Sequence, residues 1–320
     1  MLSEDMFSRI EVLRFPLVAG VVLAHSYPGP LESIAAVYAY NFFGHGLVRV
    51  SVPLLFLISG FLMFIRFEPT KAAYLLKCKS RLKSLLIPFL VWNTATLLII
   101  AFAQQSSLTS SFFSGANVTI ASYKVTDVLN AILGIGRMPV AMQFWFVRDL
   151  MLLVLAAPLA AYAGKAFPKS CMLLLLTCWL FEIWPLPAPS VEASLFFIAG
   201  AFAAQRQKNI FLPDEWGRLL FFIFIAALLF NTTSSDYRPS YYLHKIALIT
   251  GVPAVLILSK HVVSFDSLRN KLLALSPSSF FVFAAHEPLQ TIVRKLTYRL
   301  LLPESVFLTI SLYFLLPAAV

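Results

Sequence analysis

Ten mostly apolar stretches fill this chain: 9–28, 46–65, 84–103, 143–163, 170–186, 190–205, 217–231, 241–259, 277–294 and 304–320. A bilayer core takes about 20 apolar residues per helix, and the backbone can cross it only as helices or a closed barrel. With 59% apolar and 12% charged residues over 320 positions, the chain has more apolar surface than one soluble core can hide. The expected fold class is therefore all-α: a polytopic transmembrane helical bundle of about ten helices. No polar linker divides it, so 1–320 reads as a single integral membrane domain. Glu4 and Asp5 precede the first apolar run, and no small-residue cleavage site follows. That run reads as a retained span rather than a cleaved signal.

Lys and Arg set the expected orientation. With the N-terminus cytoplasmic, inside segments hold fifteen of them and outside loops hold six. Ten spans then return the C-terminus to the cytoplasm. Most of the net charge of +10 falls on the cytoplasmic face, above all in 66–83, which includes Arg81 and Lys83. Such a run reads as topology signal and contact with anionic lipid, or as a dock for a polyanionic cytoplasmic cofactor. Nucleic acid is not an expected partner, because the cations are not interleaved with exposed aromatics on a soluble domain. The outside segment 104–142 is Ser/Thr-rich, long enough to carry a short amphipathic or re-entrant piece over an acceptor site.

Ionisable residues inside spans normally face a cavity or a partner. Arg14 and His25 stand eleven residues apart in the first span. That is close to three turns and about 16 Å of rise, so they share a face. The bland readings are a snorkelling Arg and a packed His. The second span opens with His45 and Arg49 and contains FLISGF, whose Ser59-Gly60 allows close helix packing. The fourth opens with Trp145, Arg148 and Asp149. Adjacent helical residues point about 100° apart, so Arg148 and Asp149 are each expected to find a partner elsewhere, against the alternative of a mutual ion pair. His244 and Lys245 start the eighth span. The ninth holds His286, Glu287 and Pro288, which can kink a helix. His25, His244 and His286 could share one outer-half cavity. No metal is expected, since no HxxxH or HExxH spacing occurs. Cys78, Cys171 and Cys178 read as small apolar core residues. GxSxG, P-loop and GxGxxG motifs are absent from the sequence.

This pattern resembles the acyltransferase-3 family of membrane acyltransferases. Arg14 and His25 match its Arg-x10-His signature, and FLISGF its FFxxSGF-type segment. KCKSRLKSLLIP at 77–88 resembles its basic run, and FWFVRDL at 144–150 its Trp-Phe-Leu…Leu segment. SFFVFAAHEPL at 279–289 resembles its late His-x-Pro-Leu segment, with Phe283 or Ala284 where Tyr is frequent. The resemblance implies an acyl-CoA donor, most often acetyl-CoA, and a sugar hydroxyl of a surface polysaccharide (O-antigen type) or its lipid-linked precursor as acceptor. It implies multi-pass residence in a bacterial inner membrane. Some members carry a C-terminal SGNH domain, which is not expected here. Arg14 would hold the acyl-CoA by charge-assisted bonds, with help from Arg81 and Lys83. His25 would be a general base or a transient acyl carrier. Trp145, Arg148, Asp149, His286 and Glu287 are donor- or acceptor-binding candidates. The competing class is a transporter or flippase for a lipid-linked sugar.

Overall fold

The computed structural model describes residues 4–26, 34–65, 70–107, 109–110, 119–211, 213–233, 237–301 and 305–319. Among them there is no strand. The helices are α1 (Glu4–Ala24), α2 (Ile34–Phe43), α3 (Ser51–Phe64), α4 (Lys71–Gln105), α5 (Val125–Leu133), α6 (Trp145–Leu155), α7 (Ala157–Ala166), α8 (Pro168–Phe181), α9 (Val191–Gln205), α10 (Gly217–Thr233), α11 (Tyr237–Ser264), α12 (Asp266–Leu275), α13 (Ser279–Leu301) and α14 (Val306–Ala319).

A helix lies under each of the ten expected stretches, but they are not equal. Four segments are long and apolar enough to cross a membrane: Ile34–Phe64, Tyr74–Gln105, Asp214–Thr233 and Ser240–Ser264. A fifth forms if Met142–Leu155 and Ala157–Ala166, bent by 59°, count as one span. Pro158 accounts for the bend: its ring displaces the backbone before it and removes a donor from the helix ladder. Three expected stretches fall on short apolar helices, Pro168–Phe181, Val191–Gln205 and Val306–Ala319. The other two fall on α1 and α13, which are long enough at 21 and 23 residues but charged. Glu4, Asp5, Arg9, Glu11 and Arg14 lie on α1, and Glu287, Arg294 and Lys295 on α13. The chain is thus a helical membrane protein in which the two charged helices stand apart from the simple spans.

The fold divides into two units. The first comprises Met1–Arg66, Ala163–Ile183 and Val191–Val320; the second comprises Phe67–Tyr162 and Trp184–Ser190. In the first, α1 packs against α3, α11, α12, α13 and α14. Arg9 is buried there: Nε donates to Ser259 Oγ at 3.0 Å and Nη2 to the Leu256 carbonyl at 2.8 Å. Its guanidinium also stacks over Phe211 at 3.8 Å. α3 and α9 cross at close range. A Cβ on Gly60 would collide with the Phe197 carbonyl oxygen, and one on Gly200 with that of Leu57. The two glycines thus let the backbones meet, as the small-residue rule anticipates.

In the second unit, α4 packs on α5 and α6. Segment 104–142 carries a short helix, α5, whose backbone begins with Lys124 N–H donating to Asp127 Oδ2 at 2.9 Å. It ends on Gly134 in the left-handed region, φ 67°, where a side chain would strain the backbone. Gly60→Ala or Gly200→Ala should cost about 1–3 kcal/mol by overpacking; a thermal unfolding midpoint unchanged from wild type in detergent would contradict the tight crossing.

Candidate active site

The site is built on the last turn of α1. A helix end leaves carbonyls without intrahelical donors, and here side chains answer them. His25 Nδ1 lies 2.8 Å from the Val21 carbonyl. Gln290 Nε2 of α13 donates to the Val22 carbonyl at 3.3 Å. The Tyr313 hydroxyl of α14 donates to the Leu23 carbonyl at 3.4 Å. Ser26 Oγ returns a bond to the Tyr313 carbonyl at 3.0 Å. Residues from three helices fix where His25 sits.

That cap also fixes a proton. A carbonyl only accepts, so the bond to Val21 requires hydrogen on Nδ1. The neutral ring then carries its lone pair on Nε2. The same holds for His286, whose Nδ1 lies 2.7 Å from the Phe283 carbonyl. The two rings meet edge to face, centroids 5.2 Å apart and planes at 63°. His25 is half-buried, whereas His286 and Gln290 are each 1% exposed. His286 Nε2 and Gln290 Oε1 are buried without a hydrogen-bond partner among the described residues. Buried polar atoms in this condition cost free energy, so the fold keeps two acceptors unspent beside His25.

The other expected residues fall as follows. Arg14 is exposed and pairs with Glu11, Nη1 to Oε1 at 3.1 Å, and Glu11 also accepts from Ser276 Oγ at 2.7 Å. Arg14 stands on α1, which ends at Ala24, one residue before His25. Glu287 accepts from Thr291 Oγ1 at 2.9 Å. α13 runs unbroken from Ser279 to Leu301, while the side chain of Pro288 lies outside the described residues. His244 does not join the His25–His286 pair as expected; its charged neighbours are Arg49, Lys245 and His45.

In the second unit, Arg81 and Lys83 are exposed on α4, and Trp145 is half-buried at the start of α6. Arg148 and Asp149 combine both expected alternatives. They pair with each other, Nη2 to Oδ1 at 3.0 Å and Nε to Oδ1 at 3.1 Å. Each also has an outside partner: Arg148 Nη1 donates to the Gly134 carbonyl at 2.7 Å, and Asp149 Oδ2 accepts from Ser190 N–H at 2.8 Å. The long Arg side chain curls back on its neighbour, which the 100° rule for Cβ directions does not capture. Gln290, Glu11, Tyr313 and the burial of Arg9 were missed by sequence reasoning. Gln290 carried a readable signal, four residues beyond His286 and so on the same face.

No group of three or more metal-ligating side chains occurs among the described residues. What the geometry offers is a proton acceptor on a rigid cap. The family model described as an acyltransferase domain, acyltransferase-3, matches residues 7–320.

This chain belongs to the acyltransferase-3 family.

Membership decides between the enzyme and transporter readings in favour of an acyltransferase. The chain is also similar to the succinoglycan biosynthesis protein ExoH of Rhizobium meliloti (strain 1021), with 27% identity over 304 residues, 90% of this chain and 80% of that protein. No solved structure matches it. Within this acyltransferase, Asp149→Ala would leave the Arg148 charge buried and unpaired. It should lower stability by about 3–5 kcal/mol; unfolding at the wild-type temperature would show the pair to be dispensable.

Proposed function

We propose that this protein is a multi-pass O-acyltransferase of a bacterial inner membrane, moving an acetyl group from cytoplasmic acetyl-CoA to a sugar hydroxyl. The acceptor is a surface polysaccharide or its lipid-linked precursor, and both termini lie in the cytoplasm around one domain spanning 1–320. Similarity to a protein named for succinoglycan biosynthesis supports a polysaccharide acceptor. The observation that carries the reading is the spent Nδ1 of His25, which leaves Nε2 as a base.

The acceptor hydroxyl gives its proton to His25 Nε2 as its oxygen attacks the thioester carbonyl. A C–O bond forms and the C–S bond breaks. The imidazolium then returns the proton to the departing thiolate, so CoA leaves as the thiol and His25 is neutral again. His286 Nε2 lies on the adjacent ring to accept a hydrogen bond from the acceptor hydroxyl or from protonated His25. Gln290 orients the turn that carries His25. Exposed Arg14 would meet the CoA phosphates by exchanging its bond to Glu11; Arg81 and Lys83 are exposed cations of the second unit. Trp145, Arg148 and Asp149 shape the second unit; the bonds of Arg148 and Asp149 are already made within the protein. Glu287 serves by holding Thr291.

The test supplies radiolabelled acetyl-CoA and a lipid-linked glycan to purified protein. His25→Gln should fold yet lose roughly 10²–10⁴-fold in transfer, the range for removing a positioned base. Wild-type-like labelling of the glycan by this variant would sink the mechanism.

A further inference from the structure

Four cations fall inside the expected spans away from the two residues at either end: Arg14, Arg49, Arg148 and Lys245. A carboxylate answers Arg14 and another answers Arg148. Among the described residues, neither Arg49 nor Lys245 has a carboxylate oxygen within ion-pair distance. Arg49 instead donates Nη2 to His45 Nδ1 at 3.2 Å. Lys245 is 8% exposed and rests its ammonium over two rings, Trp179 at 4.1 Å and Tyr241 at 4.9 Å. These faces hold the charge but satisfy none of its three N–H donors in the way an oxygen would.

The two cations belong to one cluster. Arg49 sits on the short 3₁₀ turn Leu47–Val50, which packs against α11. His244, the residue before Lys245, has Arg49, Lys245 and His45 as its charged neighbours. Two acids lie within electrostatic reach. Glu192 is committed to Trp179, whose Nε1–H donates to Oε2 at 3.1 Å, and Glu182 is exposed just beyond α8. The cluster is joined to the α1 cap by aromatic contacts. The His45 ring meets Tyr40 at 4.8 Å, Tyr40 meets Tyr313 at 5.7 Å, and Tyr313 donates to the Leu23 carbonyl two residues before His25.

We infer that His45, Arg49, His244 and Lys245 form a subsite for an anionic group carried by the acceptor, a phosphate ester or a carboxylate, next to the His25 end of α1. This rests on the acyltransferase reading and adds an acceptor class to it. Burying a cation whose donors are unmade is costly, and an oxyanion would supply the missing acceptors through charge-assisted bonds. Arg49 and His45 are exposed, so an anion can enter from that side.

The full chain in phosphatidylcholine nanodiscs would be titrated with farnesyl pyrophosphate and glucuronic acid, and with neutral farnesol and glucose. Tryptophan fluorescence reports binding, because Trp179 lies beneath the Lys245 ammonium. Saturable binding of one of the anions is expected, with no response to the neutral compounds. Affinity should fall about tenfold or more in Arg49→Gln and in Lys245→Met. Arg49 is exposed, so Arg49→Gln tests the idea even if the buried variant misfolds. Identical curves for wild type and Arg49→Gln would overturn the subsite. Repeating the titration in phosphatidylglycerol nanodiscs separates the sources. Displacement of the probe by that lipid, dependent on Arg49, would assign the cluster to membrane headgroups and overturn the acceptor assignment. Acyl transfer measured in parallel keeps the two claims apart. Transfer without anion binding fails the subsite alone, and anion binding without any transfer fails the enzyme reading alone.

Discussion

The last carbonyls of α1 are the constraint on which the site depends. In a membrane, a helix end cannot count on water to satisfy them. Here the donors are His25 itself, Gln290 from α13 and Tyr313 from α14. One set of bonds therefore does two jobs. It closes a helix end, and it spends the Nδ1 hydrogen of His25, which leaves Nε2 as an acceptor. Because two of the donors come from the C-terminal helices, the histidine is positioned only when the two ends of the sequence have docked.

Charge explains why α1 and α13 are the helices involved. Both are long enough to span a bilayer, and both are too charged to do so as isolated apolar rods. Their polar groups must be answered by neighbours. Arg9 is answered by Ser259, the Leu256 carbonyl and the Phe211 ring; Glu11 by Ser276 and Arg14. His286 Nε2 and Gln290 Oε1 on α13 are left unpaired, as are Ser279 Oγ and Tyr298 Oη of the same helix. Of these, His286 Nε2 is the acceptor whose ring meets that of His25.

Much of this was legible in the sequence, because helical periodicity is local. The first apolar run located α1, which carries Arg14 and ends at Ala24, one residue before His25. The apolar stretches located a helix under each expected span, and Ser59-Gly60 pointed to the close α3–α9 crossing. What sequence could not supply was which faces meet. His244 and His286 looked equivalent as single histidines near the start or middle of late spans, yet only His286 reaches His25. Arg9 counted as one more cation of a cytoplasmic rim, whereas packing against α11 buries it. Arg148 and Asp149 were separated by their Cβ directions, while the length of the Arg side chain lets it fold back. Residues 29–45 lie between the first two expected spans, and α2 occupies Ile34–Phe43 there.

The central claim is that the fold delivers His25 as an imidazole with hydrogen on Nδ1 and a lone pair on Nε2. ¹⁵N NMR of protein labelled at the histidine ring nitrogens, in nanodiscs at a pH where the ring is neutral, reads this directly. A pyrrole-like Nδ1 and a pyridine-like Nε2 for the signal lost in His25→Gln is the predicted result. A protonated, pyrrole-like Nε2 at that residue would contradict the account.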